Sequence, residues 1–373
     1  MERLLVTGGA GFIGSAFVRR VLGDAAVDRV VVLDKLTYAG SLAALDAVRP
    51  AGSRLEFVRG DIGDRALVAR LLAEHRPRAI INFAAESHVD RSIDAAAPFV
   101  MTNIVGTAQL LEATLEYWRQ LPTGDRDRFR FLHISTDEVF GSIAAPAQAD
   151  ETSPYAPSSP YAASKAAGDY FVRAFHRTYG LPTLLTYATN NYGPFQFPEK
   201  LVPVVILNAL EGGPIPLYGD GEQQRDWLLV DDHCAALQVV LQRGQSGNAY
   251  CIASGRHQTN RELVVLICDE IDRQCTALPH RPTSGLIQYV ADRPGHDRRY
   301  ALDAARIHAM GWKPRVSLEH GIRETVAWYL ANRQWVAEMS RGFDRAARIG
   351  LGLGPQISQM NADESSRSAS DCR

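Results

Sequence analysis

The chain has 373 residues, 46% of them hydrophobic and 22% charged, with a formal net charge of −2. That balance belongs to a folded protein of one large or two fused domains, and it offers no basic field to nucleic acid or to acidic membrane surfaces. Of 40 basic residues only four are lysines (Lys35, Lys165, Lys200 and Lys313), so each is worth checking for a role. In chain order, "RLLVTG" reads as a strand that runs straight into a glycine turn, with no signal peptide before it. "FIGSAFVRRVLGD" follows as a helix and "RVVVLDK" as a second strand; then come "LEFVRGD" (strand), "RALVARLLAEH" (helix) and "AIINFAA" (strand). A long helical stretch from about Pro98 to Trp118 precedes the strand "FRFLHIS", and a helix from Tyr161 precedes the strand "PTLLTYATN".

Near-continuous apolar strands separated by helices predict an α/β, Rossmann-type doubly wound parallel sheet, with ligands outside the carboxyl ends of its strands. From about Gly193 the texture turns to short segments and helices such as "RELVVLICDEIDRQ", which predicts a smaller, mixed α/β C-terminal substrate-binding domain. The expected boundaries are 1–190 for the domain of the parallel sheet, with some interleaving of the later chain, and 191–340 for the smaller one. Residues 341–373 end in small and polar residues without apolar period and are expected to form a flexible tail. The five cysteines form no CxxC pair, which argues against disulfides or zinc and fits a cytoplasmic protein. No apolar run reaches the ~18 residues that a membrane span needs.

"TGGAGFIG" sets Gly8, Gly11 and Gly14 in a G-x-x-G-x-x-G pattern between a strand and a helix. Glycines there permit a tight turn and let backbone approach a pyrophosphate at the positive end of the helix. Asp34 closes the following strand, where a carboxylate accepts the ribose hydroxyls and repels a 2′-phosphate, so NAD is favoured over NADP. A purely structural turn is the bland alternative. Tyr161 and Lys165, in "SPYAASK", stand four apart on one helix face, where the ammonium favours the phenolate and makes the tyrosine a base. Most such pairs are accidental; this one shares a chain with a dinucleotide loop and uses one of four lysines. Asp137 and Glu138 follow Ser135-Thr136 at a strand end, where a solvated loop is the bland reading.

Together these motifs resemble the extended short-chain dehydrogenase/reductase family, the NAD-dependent epimerases and dehydratases of nucleotide sugars. Its 4-epimerases typically carry Ser-Ser or Ser-Thr at the strand end, whereas Ser135-Thr136-Asp137-Glu138 is similar to the dTDP-glucose 4,6-dehydratases. "AAESHVDRSI", "NNYGPFQFPEKL", "YGDGEQQRDW" and "DRPGHDRRY" extend the resemblance to about Trp335. It implies conversion of dTDP-glucose to dTDP-4-keto-6-deoxyglucose: oxidation at C4, loss of water across C5–C6, and reduction at C6 with bound NAD. Tyr161 would take the C4 hydroxyl proton, Glu138 the C5 proton, and protonated Asp137 would donate to the departing C6 hydroxyl. Thr136 would polarise the C4 oxygen or hold Tyr161, and Lys165 would sit beside them. A like-charge pair in a dry site splits its titrations in that way.

By the same resemblance NAD would rest on Gly8, Gly11, Phe12, Ile13 and Gly14, and on Asp34, Lys35, Leu36 and Thr37. Asp61, Ile62, Ala84, Ala85, Ser87, Thr102, Tyr161, Lys165 and Asn191 would complete its site. The nucleotide sugar would meet Ser87, Thr136, Asn190, Lys200, Leu201, Pro216, Tyr218, Arg225, Asn260, Arg293 and His296, the cations neutralising its pyrophosphate. A homodimer packed through helices near 98–118 and 161–178 is implied, with no nucleic-acid or membrane partner. His88 reads as a packed histidine rather than a metal ligand, Cys234 as a buried helix residue, and Arg293, Arg298 and Arg299, which the sequence does not separate, as surface or substrate residues. Phe140 stands where the family usually has tyrosine, and Tyr187 and Thr189 also depart from its pattern. Dehydration of another nucleotide sugar such as UDP-glucose, a 4-epimerase, and a non-enzymatic NAD-sensing scaffold are the rival readings; Asp137-Glu138 disfavours the epimerase and the intact catalytic set the scaffold.

Overall fold

The structure is a computed structural model that describes residues 2–46, 48 and 54–341, so the expected tail from 342 lies outside the described residues. In chain order the strands are β1 (Glu2–Thr7), β2 (Val27–Asp34), β3 (Leu55–Arg59), β4 (Ala79–Asn82), β5 (Arg130–Thr136) and β6 (Thr183–Ala188). They continue as β7 (Asn190–Tyr192), β8 (Ile215–Tyr218), β9 (Gln224–Leu229), β10 (Ala249–Ile252), β11 (His257–Thr259) and β12 (Ile287–Val290). Seven of them make one parallel sheet in the order β10-β6-β5-β4-β1-β2-β3.

Strand residues alternate between two apolar layers, as a sheet covered on both faces requires. Leu4, Val6, Val30, Val32, Ile81 and Leu132 face one layer; Leu5, Val31, Leu33, Ile80 and Phe131 face the other. The first layer is completed by α1 (Phe12–Leu22), through Phe17 and Val18. The second is completed by α2 (Arg65–His75), α3 (Thr107–Gln120) and α4 (Pro160–Tyr179), through Leu71, Leu110 and Val172. Each such buried side chain contributes about 1.5–3 kcal/mol of transfer free energy.

The helix expected from Pro98 to Trp118 is not uniform. Val100–Gly106 follows a wider, π-type path before α3 begins. Asn103, buried in that stretch, accepts from the Glu86 backbone N–H at 2.9 Å and donates to the Glu86 carbonyl at 3.0 Å and to Ser164 Oγ at 2.8 Å. One side chain thus ties the loop after β4 to α4, and a π-type widening inside a helix commonly marks such a functional clamp. The run "PTLLTYATN" also divides: β6 ends at Ala188, and from Asn190 the chain enters a separate three-stranded sheet, β11-β9-β7. That sheet and the β12-β8 pair pack around their own core with α5 (Leu201–Glu211) and, after α6 (Val230–Arg243), with α7 (Asn260–Gln274) and α8 (Leu318–Ala331). Val205, Ile206, Leu263, Ile267, Ile322 and Tyr329 form the centre of this second core. Between the two cores, at the carboxyl ends of the parallel strands, lies a cavity of about 510 Å³.

Candidate active site

Every residue named above for NAD, substrate or catalysis lines this one cavity, except Leu36 and the two arginines read as surface or substrate, Arg298 and Arg299. Leu36 packs against the first apolar layer, and its N–H bonds to Asp34 Oδ1 at 2.8 Å.

At one end, β1 passes through the glycine turn into α1, whose N-terminus has no side-chain cap and no acidic residue in its first turn. Its orphan N–H groups and positive dipole end suit an anion. A side chain at Gly14 would put its Cβ 2.2 Å from the Gly8 carbonyl oxygen, so only glycine lets turn and helix close this tightly. Asp34 Oδ2 accepts from the Ala10 N–H at 2.9 Å, which fixes the glycine turn to the end of β2. Burial raises the pKa of Asp34 despite its two backbone bonds, to the Ala10 and Leu36 N–H groups. Lys35 and Asp61 pair at 2.7 Å across the ends of β2 and β3. An uncapped helix N-terminus, a glycine cradle and a strand-end carboxylate fit a dinucleotide.

At the centre, β5 ends at Thr136 and turns through Asp137–Phe140 in a single 3₁₀ turn. Gly141 closes the turn at φ 67°, and a Cβ there would lie 2.1 Å from the Ala156 carbonyl oxygen. The Thr136 hydroxyl donates to Asp137 Oδ1 at 3.2 Å and accepts from the Glu138 N–H at 3.3 Å. Opposite, Ser159 caps α4 and Pro160 starts it, and the Tyr161 N–H is held by Ser92 Oγ at 3.1 Å. Lys165 is buried and donates to the Ile134 carbonyl of β5 at 2.7 Å, so helix and strand are locked beside the turn.

Burial and the neighbouring Glu138 push Asp137 up to about 8, with Arg225 and the Thr136 hydroxyl pulling the other way. The protonated form of Asp137 is therefore favoured at neutral pH. Burial raises Glu138 as well, but Arg293, Arg225 and Lys200 oppose it, so three cations favour its charged form. The surroundings of the two neighbouring carboxyls thus differ, with more cationic compensation at Glu138 than at Asp137. Burial, then the charge of Glu138, raises Tyr161, while the Thr136 hydroxyl lowers it. Burial brings Lys165 down to about 8.

At the far end stand the cations. Arg225 is buried, with its guanidinium 4.1 Å from the Tyr300 ring centroid and bonded to the Asp297 carbonyl at 2.8 Å. Arg293 pairs with Asp90 at 2.9 Å, and Tyr218 donates to the other Asp90 oxygen at 3.2 Å. Lys200 donates to the Ser87 carbonyl at 2.9 Å, and His296 Nδ1 lies 2.6 Å from Asp292. The arginines separate here: Arg298 pairs with Asp220 on the surface and Arg299 binds the carbonyls of Ile143 and Ala147, whereas Arg293 lines the cavity. His88 is packed, as expected, accepting from the Arg91 N–H at 3.4 Å. Burial and the neighbouring cations depress it to about 2, so it is neutral.

Sequence reasoning missed several lining residues. Glu199 is reached by Tyr38 at 3.2 Å and Arg91 at 3.4 Å, and Asp90 organises Arg293 and Tyr218. Both lie within the quoted stretches "NNYGPFQFPEKL" and "AAESHVDRSI", but no spacing there assigns them a role. The departures from the family pattern meet each other: the Phe140 and Tyr187 rings stand 4.8 Å apart, and the Tyr187 hydroxyl bonds to Tyr155 and Arg173 at 2.5 Å.

A family model for GDP-mannose 4,6 dehydratase matches residues 5–325. A dTDP-glucose 4,6-dehydratase of Xanthomonas campestris pv. campestris is 53% identical over 94% of this chain and 99% of its own. The chain belongs to the dTDP-glucose 4,6-dehydratase family. The Escherichia coli K12 dTDP-glucose 4,6-dehydratase 1 is 51% identical over 91% of this chain and 96% of its own. Among solved structures, the dehydratase DesIV of Streptomyces venezuelae, with NAD and TYD bound, superposes at a TM-score of 0.82. It is 47% identical and covers 90% of this chain and 99% of its own. The UDP-glucose 4-epimerase of Thermus thermophilus, in complex with NAD, superposes at 0.76 with 30% identity, over 88% of this chain and 99% of its own. A dehydratase and an epimerase thus share this fold.

Proposed function

We propose that the protein is an NAD-dependent dTDP-glucose 4,6-dehydratase, a hydro-lyase that forms dTDP-4-keto-6-deoxyglucose for deoxysugar synthesis. The observation that carries this reading is the Asp137-Glu138 pair in one cavity with Tyr161, Lys165 and a cationic end. The lobe built on the seven-stranded sheet holds NAD, and the lobe built around the second core holds the nucleoside diphosphate. Bound NAD supplies the hydride acceptor for C4 and the hydride donor for C6. Tyr161 takes the C4 hydroxyl proton, with Thr136 steadying the oxygen and Lys165 stabilising the phenolate. The 4-keto group acidifies C5–H, Glu138 removes that proton, and Asp137 delivers its own to the departing C6 hydroxyl; a proton returns to C5 from Glu138 as C6 is reduced. Arg225, Arg293, Lys200, Asn260 and His296 hold the diphosphate; Ser87 and Asn190 face the sugar.

The decisive experiment incubates the purified protein with NAD and dTDP-, UDP-, CDP- and GDP-glucose, and follows mass. Loss of one water from dTDP-glucose is expected. A new isomer without mass change would replace the dehydratase with an epimerase, and dehydration of UDP-glucose instead would reassign the base. The pH dependence has a definite sign: Asp137 works protonated, so elimination falls as pH rises through about 8. Asp137→Asn should abolish that alkaline limb along with most of the rate.

Two copies associate through the outer faces of α4 and the Val100–Gly106 stretch. Met101, Tyr170, Phe171 and Tyr179 are large exposed side chains on this contiguous surface. Apolar exposure of this kind suits a symmetric partner surface. Tyr170→Asp with Met101→Asp should convert a dimer to monomers in sedimentation analysis; an unchanged mass would place the interface elsewhere. Cys234, Cys251 and Cys268 are free buried thiols, which accords with a cytoplasmic enzyme. Among the described residues no helix is long and apolar enough to cross a membrane.

A further inference from the structure

Asp169 has no solvent exposure, lies four residues beyond Lys165 on α4 and eight beyond Tyr161, and so shares their helix face. Its Oδ2 accepts from Ser135 Oγ at 2.7 Å and from the Tyr155 hydroxyl at 3.1 Å. Its Oδ1 faces His133 Nε2 at 3.4 Å, and among the described residues neither atom has a closer hydrogen-bond partner. The state of that histidine follows from a polar row across the sheet. Thr7 donates to Asn82 Oδ1 at 2.6 Å, so the Asn82 amide N–H points at His133 Nδ1, 3.0 Å away. Nδ1 accepts, and the ring proton therefore sits on Nε2, directed at Asp169. Burial, then the charge of Lys165, holds His133 neutral. Asp169 thus accepts from Ser135 on β5 and from Tyr155 in the loop preceding α4, with His133 facing its other oxygen, a setting that suits a buried carboxylate.

We propose that Asp169 is a positioning residue that keeps Lys165 charged behind Tyr161, serving as the buried counter-ion of the catalytic ammonium. Lys165 itself donates to a neutral carbonyl, which leaves its charge uncompensated at close range. Asp169 is the carboxylate that opposes the burial of Lys165. Without it, a fully buried ammonium sheds its proton, and the tyrosine loses the charge that favours its phenolate. The other titratable and charged groups around the pair are Tyr161 on α4, His133 on β5, and Asp137 and Glu138 on the turn after it. Tyr155, Tyr187 and Arg173 pack behind Asp169. The inference deepens the proposed function and rests on its role for Lys165.

The test exploits the scarcity of lysine: with four in the chain, ¹⁵N-lysine labelling of the NAD-loaded protein gives few side-chain signals. Removing a negative charge disfavours the protonated form, so in Asp169→Asn the Lys165 titration midpoint should fall by roughly one unit. The midpoints of Lys35, Lys200 and Lys313 should not move. Single-turnover oxidation at C4 should lose its high-pH arm at correspondingly lower pH, with NAD content and nucleotide affinity unchanged. An unmoved Lys165 midpoint would overturn the proposal, even if the variant were slow. Ser135→Ala with Tyr155→Phe serves if Asp169→Asn does not fold. That variant strips the donors that favour the charged carboxylate, so the midpoint should fall here too; no movement again overturns the idea. Because the titration is read directly, a negative result here leaves the role of Tyr161 standing, whereas an active Tyr161→Phe would remove that role alone.

Discussion

Glu138→Gln should bind NAD and the nucleotide sugar as the parent does, yet lose water from its substrate about 10³-fold more slowly. That factor lies within the range for removing a general base and corresponds to about 4 kcal/mol of barrier. The amide keeps the volume of the carboxylate, so the buried turn Asp137–Phe140 has no reason to rearrange. It removes one negative charge near Arg225, Arg293 and Lys200, so diphosphate affinity holds or tightens. Oxidation at C4 precedes the step that needs Glu138, so reduced nicotinamide should accumulate in its near-ultraviolet absorbance. Recovered substrate should carry no solvent deuterium at C5. Normal turnover, or deuterium at C5, would move the base to another residue.

Tyr161→Phe should stall one step earlier, with a loss of about 10²–10⁴-fold and no rise in reduced nicotinamide. Its ring packs edge-on to Phe99 at 6.3 Å and is buried beside Val89, contacts that phenylalanine keeps. The fold should therefore be unharmed, and a lowered melting temperature is not expected. The absorbance separates the two variants: present with Glu138→Gln, absent with Tyr161→Phe. If both gave the same trace, oxidation and elimination would not be divided between these residues.

What the sequence made legible was whatever is encoded locally. A glycine turn is a backbone path, so the spacing of Gly8, Gly11 and Gly14 is enough to place it. Apolar strands between helices give the sheet, and the acid pair stands out because it ends a buried strand. The rest depends on partners that are distant in the chain. Glu199 acquires its place from Tyr38 and Arg91, and Asp90 from Arg293 and Tyr218, contacts that leave no trace in local spacing. Leu36 stands apart from the other cofactor candidates: its N–H bonds to Asp34 and its side chain packs against the first apolar layer. Asp169 did leave a periodic signal, four after Lys165 and eight after Tyr161, but a lone helical aspartate reads as a solvated surface residue until its burial is known.

The seventh strand is the clearest case of a long-range partner. It lies beyond residue 190, in the part of the chain expected to form the smaller domain, yet β10 completes the large sheet beside β6. Synthesis runs from the N-terminus, so β6 leaves the ribosome long before its outer neighbour has been made. Until then, Thr183–Ala188, wholly buried in the finished molecule, presents an open apolar edge. Unpaired edges of this kind recruit other chains. A nascent polypeptide arrested before Ile252 is therefore a sticky, incomplete sheet rather than a folded nucleotide-binding half. Cutting the gene near codon 190 would yield a fragment that aggregates, and the two lobes must be expressed as one unit.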